Sequence, residues 1–410
     1  MSSGSLGQAS STSPAPSQRA IMWLLGGLAL LGPLSVDAYL PAFESIQQDL
    51  HVEARAVQFT LTAYLASFAF MSLWHGALSD ALGRRKVVLV SLAVFAGASI
   101  GCALAPDVYW LSGFRILQGV AAGAGTVVGR AIVRDLYEGT SAARMLSMVG
   151  MIFSLSPALA PILGGWIVTV FAWRAIFAFL SIYTLGLLAY SLRALPETLV
   201  PAKRQSLAPA SLLRSYLRVL TSLTFQYAAG AVAFNFAGLF LFVAAAPVIL
   251  GTHLGLSANQ FGWQFVPMVG GIFLGSLAAN RLAGKLEYRG QTALGFTLLL
   301  AAAAFNAAYH GLMPPALPWS VTPIFFYAFG MSIASPPLTL MVLDLFPDFR
   351  GVVASMQAFT MVMLAALATA VLAPALQHSL FHLALGQLAL GLAGLAVWPP
   401  TVTIRGERRS

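Results

Sequence analysis

Two residues of opposite charge, Asp37 and Arg115, lie inside long apolar stretches of the sequence. Charges in such stretches are rare and usually functional. Asp37 lies four residues before Pro41, and Arg115 lies six residues after Tyr109. A nearby cation keeps a carboxylate ionised, whereas loss of surrounding water favours its neutral form, so such a pair could bind and release a proton. The alternative is a static ion pair that joins two helices.

A second charged group lies in the polar segment 76–86, between two apolar stretches. Its pattern is formed by Gly76, Asp80, Gly83, Arg84 and Arg85. We expect a tight loop in which Asp80 accepts hydrogen bonds from the neighbouring cations. Alternatively, Asp80 could face the N-terminus of the helix that begins near Gly351, where the helix macrodipole favours negative charge. Either contact would act as a latch; an ordinary turn with basic anchors is the simpler interpretation.

The composition indicates which elements position these charges. Hydrophobic residues make up 59% of the 410 residues and charged residues 9%, whereas soluble domains carry about 25% charged residues. A lipid bilayer is therefore the expected surroundings, and apolar stretches of roughly 17 to 25 residues match the length of a membrane-spanning helix. We predict an all-α integral membrane protein with twelve spans, at residues 20–40, 57–74, 87–105, 109–129, 145–168, 176–192, 223–250, 261–283, 292–312, 321–343, 352–375 and 380–399.

The basic residues are distributed unevenly between the two sides of these spans. If the N-terminus is cytoplasmic, nearly all Lys and Arg residues outside the spans are cytoplasmic, and only Arg55 and Arg174 lie on the opposite side. The net charge of +9 therefore reflects the preference of basic residues for the cytoplasmic face, not a nucleic-acid-binding surface. We expect a multi-pass protein of the inner (plasma) membrane with both termini in the cytoplasm.

The longest polar connection, from Arg193 to Thr221, separates six predicted spans from the other six. We expect two six-helix bundles, residues 19–195 and 221–402, that face each other across a central cavity. A cytoplasmic linker, residues 196–220, would join them. We also expect cytoplasmic tails at residues 1–18 and 403–410, the first of them disordered because it is rich in Ser, Pro and Ala.

The fifth predicted span differs from the others in its content of helix-bending and small residues. It contains Pro157, Pro161, Gly164 and Gly165. Proline removes a backbone hydrogen bond and bends a helix, and small residues permit close contact with a neighbouring helix. We therefore predict a gating helix between the two bundles.

Several polar and aromatic residues within the spans are candidates for lining a substrate cavity, because ligand pockets combine apolar walls with a few hydrogen-bonding groups. The candidates are Tyr39, Tyr64, Gln118, Asn235, Phe236 and Gln357. For any one of them, packing inside a bundle or against lipid is the alternative. We find no metal-ligand spacing, phosphate-binding loop or nucleophile motif, so we expect neither an enzyme nor a metal or cofactor, and an ion gradient as the energy source.

Several segments together resemble the major facilitator superfamily. Residues 76–85 resemble its motif A, residues 115–119 (Arg-Ile-Leu-Gln-Gly) its motif B, and residues 160–165 (Ala-Pro-Ile-Leu-Gly-Gly) its motif C, which marks drug:proton antiporters. The segments 36–43, 58–65, 131–135 and 173–177 are similar to the bicyclomycin/chloramphenicol-resistance subfamily. The resemblance covers residues 32–199, and the second half of the chain matches only in its general pattern.

The resemblance implies twelve helices in two bundles, alternating access, and export of antibiotics against an inward flow of protons. It assigns the proton site to Asp37 and the regulating cation to Arg115. We therefore expect a monomeric, proton-coupled exporter of small amphipathic drugs whose partners are the drug, protons and the bilayer. A narrow exporter of one metabolite, such as an amino acid or sugar, is the first alternative. A non-transporting membrane receptor or scaffold is the second.

Overall fold

The computed structural model describes residues 18–200, 202, 204, 209–344, 346 and 350–398. Lipid offers no hydrogen-bonding partners, so the backbone of an apolar stretch must satisfy its own polar groups, and the α-helix does so within one segment. Within these residues, twelve helical segments are long and apolar enough to cross a membrane. The prediction of an all-α protein with twelve spans is confirmed.

Seven α-helices lie within the described residues of the first half. They are α1 (Gln18–Asp37), α2 (Phe43–Leu50), α3 (Ala54–Leu82), α4 (Arg84–Ala103), α5 (Val108–Leu136), α6 (Gly139–Val170) and α7 (Arg174–Ala194). A short 3-10 helix, Leu40–Ala42, joins α1 to the short α2. Helix α3 packs on α5, α4 packs on α5 and α7, and α1 packs on α6.

Helix α8 (Pro209–Leu220) precedes the second half. The second half contains α9 (Leu223–Pro247), α10 (Gly262–Leu282), α11 (Tyr288–Leu312), α12 (Thr322–Asp344), α13 (Arg350–Leu367), α14 (Ala373–Leu376) and α15 (Leu380–Val397). Two π-helical turns, Val248–His253 and Ala368–Leu372, extend α9 and α13, and a 3-10 turn, Ala258–Gln260, precedes α10. The halves contact each other where α3 packs on α13 and α6 packs on α10.

The predicted loop at residues 76–86 is wrong. Helix α3 continues through Asp80 to Leu82, and α4 begins at Arg84, so that Gly83 alone separates them. The helix persists because no helix breaker lies between Gly76 and Gly83. Gly83 has a φ of +98°, which a residue with a side chain adopts only with strain.

The predicted tails lie almost wholly outside the described residues. Residues 1–17 and 403–410 are not described, and α1 already begins at Gln18. The predicted linker, residues 196–220, contains α8 over its last 12 residues. A polar connection of this length is therefore in part a helix.

Candidate functional site

Arg115 lies on α5 with its side chain fully buried. Its guanidinium carbon lies 4.7 Å from the ring centroid of Tyr39 and 4.3 Å from that of Tyr64. Its Nη1 donates to the backbone carbonyl of Ser35 at 3.2 Å and to Oε1 of Gln118 at 2.8 Å. A desolvated cation on an aromatic face is stabilised by about 2 kcal/mol. The two rings therefore hold Arg115 in one orientation.

The side chains around Arg115 are themselves fixed by hydrogen bonds. The Tyr39 hydroxyl is bonded to Thr60 Oγ1 at 2.7 Å, and Ser35 Oγ donates to the Tyr64 hydroxyl at 2.8 Å. Tyr39, Tyr64 and Gln118 are almost completely buried. Three of the predicted cavity residues are thus brought together, but they form a packed shell around Arg115 and not an open wall.

Asp37 is the last residue of α1, and only 5% of its surface is exposed. No other Asp or Glu among the described residues is buried to this extent. Within the same part of the chain, its carboxylate forms no ion pair and no hydrogen bond. The direct ion pair with Arg115 is not formed, because the tyrosines direct Arg115 to the backbone at Ser35, two residues before Asp37.

The two charges nevertheless share surroundings. Arg115 donates to the backbone carbonyl of Ser35, two residues before Asp37, and lies against the ring of Tyr39, two residues after it. Nε and Nη2 of Arg115 have no hydrogen-bond partner among the described residues. Two donors of the guanidinium are therefore available to a carboxylate or a ligand without breaking the bonds that Arg115 already makes.

We expect Arg115→Lys to lower both thermal stability and transport, although the charge is retained. A lysine ammonium lacks the planar face that stacks between the tyrosines and the fork that bonds two acceptors. The loss of one desolvated cation–π contact alone corresponds to about 2 kcal/mol. Thermal unfolding of purified protein and flux in vesicles measure the two effects, with Arg55→Lys, at an exposed position in the first turn of α3, as control. An unchanged midpoint and flux would show that any cation suffices.

The Asp80 group lies at the end of the first half where α3 meets α4, which we call the inner end; the opposite end, where α4 meets α5, is called the outer end. Arg84 bonds Asp80 at 2.5 Å through Nη1 and Asp135, near the end of α5, at 3.2 Å through Nε. The backbone N–H of Arg84 donates to Glu197 Oε1 at 2.9 Å. Asp80 thus contacts a neighbouring cation, and Arg84 ties together α3, α4, α5 and the segment after α7.

The other residues of the motif border this group. Arg85 donates to the backbone carbonyl of Leu192 at 2.7 Å, and Gly83 lies directly against the Glu197 carboxylate. Gly76 lies on α3, on the side of α5. Sequence reasoning did not assign Asp135 and Glu197 to this group, although acidic residues beside the basic inner ends of spans were an available signal.

Helix α6 runs without interruption through Pro157 and Pro161. A Cβ atom on Gly164 would collide with the backbone carbonyl of Ala38, and one on Gly165 would collide with that of Ala258. Ala258 belongs to the second half, in the outer connection before α10. Gly165 therefore allows α6 to meet the backbone of the second half at the outer end of the molecule.

A second contact between the halves lies at the outer end of α3. Gln58 Nε2 donates to Gln377 Oε1 at 2.5 Å, and the Gln377 backbone carbonyl is bonded to His253 Nε2 at 2.9 Å. A cavity of about 710 Å³ lies beside it, between the outer ends of α3 and α5 and the π-helical turn Ala368–Leu372. Gln58 and Gln377 are 319 positions apart, so sequence offered no signal for this pair.

The remaining cavity candidates lie in the second half. Asn235 is fully buried, and its side chain lies against Gly394 on α15. Phe236 is half-buried, with its ring centroid 5.6 Å from that of Phe240. Gln357 donates to Thr339 Oγ1 at 3.0 Å. The structure does not place these three among the hydrogen-bonding or stacking partners of Arg115. No group of three or more potential metal ligands occurs in the described part of the chain.

Comparison with known proteins adds a family and a fold. A family model described as Major Facilitator Superfamily matches residues 25–368. A bicyclomycin resistance protein homolog of Haemophilus influenzae is 33% identical over 281 residues, which are 66% of this chain and 69% of the relative. Multidrug resistance protein D of Escherichia coli is 29% identical over 333 residues, 81% of this chain and 82% of the relative.

A solved structure has the same arrangement of helices. It is that of a bacterial homolog of the human lysosomal transporter Spinster, in an inward-facing and occupied conformation. The TM-score is 0.72 over 94% of this chain and 96% of that chain, at 15% sequence identity. This likeness supports the fold alone.

Proposed function

The chain belongs to the major facilitator superfamily and is a multi-pass membrane transporter, not an enzyme, and from this premise we propose that it exports small amphipathic drugs in exchange for protons. The names of the relatives, a bicyclomycin resistance protein homolog and a multidrug resistance protein, support drugs as the substrate class. Export by such a transporter requires an energy source, and a proton gradient is the one for which this chain offers a candidate group.

The observation that carries the proposal is the buried, unpartnered carboxylate of Asp37 near a fixed cation. Loss of water favours the neutral form of a carboxylate and a nearby cation favours its ionised form, so the balance between the two can decide whether such a group carries a proton. Opening of the site to either side of the membrane changes this balance. Asp37 would bind a proton from outside and release it inside, and Arg115 would keep the ionised state accessible.

The proposed mechanism is alternating access by movement of residues 19–195 against residues 221–402. The contacts of Gly165 with Ala258 and of Gln58 with Gln377 would close the outer side. The Asp80 group, in which Arg84 contacts Asp80 and Asp135, would stiffen the inner end of the first half, so that this half moves as one body. Protonation of Asp37 removes a charge near the outer contacts and would lower the cost of moving between the two states.

The membrane, the orientation and the partners of the protein can be proposed as well. We propose the inner (plasma) membrane, with both termini cytoplasmic, from the excess of basic residues on one side. We further propose a monomer that needs no cofactor, because the two halves of one chain contact each other directly, where α3 packs on α13 and α6 packs on α10. We call this contact the seam. The proposed partners are a drug-like molecule, protons and lipid.

The direct test is uptake of labelled chloramphenicol by proteoliposomes that are acidic inside. We expect accumulation that ends when nigericin abolishes the pH difference. Transporters whose cytoplasmic side faces the external solution would exchange external drug for protons that leave the acidic lumen. Accumulation that persists without a pH difference would contradict proton coupling. A competition panel of unrelated drugs, amino acids and sugars separates this function from the narrow exporter, which would respond to one chemical class only.

We expect Gln58→Leu to weaken closure of the outer side without abolishing folding. The loss of one hydrogen bond, worth about 0.5–1.5 kcal/mol, would raise the open fraction by about 2- to 10-fold. The readout is the rate at which a membrane-impermeant maleimide modifies Ala42→Cys, a fully buried position at the outer end, in a Cys102→Ser background. Gln48→Leu on the exposed side of α2 is the matched control. Equal rates in both variants would exclude a role in closure.

A further inference from the structure

Helix α8 presents three distinct faces. Tyr216 and Val219 are buried on the first face. The Tyr216 hydroxyl donates to the backbone carbonyl of Leu73 on α3 at 2.5 Å, and burial raises the pKa of Tyr216, so that it remains a neutral donor. Val219 belongs to an apolar cluster with Val353 and Met356 of α13. This face therefore attaches α8 to both halves at the inner end of their seam.

The second face is apolar and uncovered. Leu213, Leu217 and Leu220 have exposed fractions of 57%, 50% and 42%. Their spacing of four and three residues places them on one stripe, because a helix turns once in about 3.6 residues. Exposure of such a stripe to water costs about 25 cal/mol per Å² of apolar surface, so its natural surroundings are apolar.

The third face is basic and adjoins the leucine stripe. Arg214 and Arg218 follow Leu213 and Leu217 by one residue each, and both side chains are exposed. The helix sequence, Pro209–Leu220, contains no acidic residue. A solvent-exposed helix normally mixes charges of both signs, whereas an apolar stripe beside arginines alone is typical of helices that lie in a membrane interface.

Because a membrane-spanning segment follows α8 almost directly in the chain, the leucine and arginine faces of α8 lie close to the bilayer. Helix α8 ends at Leu220, and the membrane-spanning segment that follows begins at Leu223. Only Thr221 and Ser222 separate them, so the end of α8 lies at the level where α9 enters the bilayer. Lipid is thus the neighbour that continuity of the chain provides.

We propose that α8 lies in the inner membrane interface, with its leucine stripe among the acyl chains and Arg214 and Arg218 on the headgroups of anionic phospholipid. Anionic headgroups attract each nearby Lys or Arg, and apolar burial adds to this attraction. Because Tyr216 and Val219 connect the same helix to α3 and α13, the surface charge of the inner leaflet acts directly at the seam between the halves. The proposal concerns lipid contact and stands independently of which substrate is transported.

The test places a fluorescent bimane label at Leu217→Cys in full-length protein with Cys102→Ser. Vesicles contain phosphatidylcholine with or without 30% phosphatidylglycerol, and a portion of the lipid carries a shallow doxyl quencher. We expect the lipid quencher to reduce emission at least threefold more at position 217 than at Thr140→Cys, an exposed position at the inner end of α6. Aqueous iodide should give the opposite order.

The charge is tested separately. Phosphatidylglycerol should shift the emission of the label at position 217 to shorter wavelength, and Arg214→Gln should remove about half of that shift. Arg193→Gln, an exposed basic residue at the inner end of α7, is the matched control and should leave the shift unchanged. An equal shift in both variants would overturn the assignment to anionic lipid.

Two other outcomes would overturn the proposal altogether. Equal quenching by iodide at positions 217 and 140, without quenching by lipid, would place the stripe in water. Disulfide-linked dimers of unlabelled Leu217→Cys in the membrane would show that a second copy of the chain covers it. Retention of flux in all label variants keeps these results separable from loss of folding.

Discussion

Asp37→Asn is expected to abolish proton exchange on drug binding and leave the protein folded. Asparagine has nearly the same shape as aspartate but does not titrate at physiological pH. The Asp37 carboxylate forms no hydrogen bond or ion pair within the described part of the chain, so the substitution breaks no fixed contact. Removal of a buried charge should even favour the folded state.

The measurement is the proton count released or taken up when chloramphenicol is added to purified protein in weakly buffered solution, together with calorimetric binding. The native chain should exchange protons, whereas Asp37→Asn should bind the drug with no exchange and show no gradient-driven uptake. Glu53→Gln, an exposed outer carboxylate, is the control and should behave as the native chain. Equal exchange by Asp37→Asn and the native chain would make Asp37 structural and refute the proposed coupling site.

Gly165→Val is expected to stop transport by preventing closure of the outer side. A valine Cβ would collide with the backbone carbonyl of Ala258, and a backbone segment cannot move aside as a flexible side chain can. Because the collision is between the halves and not within one, each half should still fold. Transport should therefore fall to the level of protein-free vesicles, with only a small change in unfolding temperature.

Neighbouring glycines supply matched controls on the same helix. A Cβ atom on Gly150 meets no atom within 4 Å, so Gly150→Val should transport as the native chain does. Gly164→Val should collide with Ala38 of the same half and therefore lower the unfolding temperature as well. Outer accessibility of Ala42→Cys should rise in Gly165→Val alone. If Gly165→Val transports as well as Gly150→Val, α6 does not gate the outer side.

Much of the fold could be predicted from the sequence because the bilayer leaves few structures available. An apolar stretch of sufficient length must form a helix in lipid, so the twelve spans follow from composition. The error at residues 76–86 arose from treating polar residues as a loop. Their helix propensity is adequate, and only the positive φ of Gly83 breaks the helix.

The charged residues could be recognised but their partners could not. Asp37 and Arg115 are conspicuous because a charge in an apolar stretch is costly wherever the helix lies. Whether they form an ion pair depends on contacts made by Arg115 in the fold: the rings of Tyr39, two residues after Asp37, and of Tyr64 on α3 hold the guanidinium, and the Ser35 carbonyl accepts from it. Local sequence does not specify that competition.

The sequence by itself determined the twelve spans, the family motifs and the two charges inside the spans, because each depends on residues that are near one another in the chain. Only the tertiary structure decided that Arg84 joins Asp80 to Asp135, that Gln58 meets Gln377, and that Gly165 meets Ala258. These contacts depend on how helices are rotated and packed. Rotation and packing are set by the sum of many side-chain contacts between distant segments, which no single stretch of sequence contains.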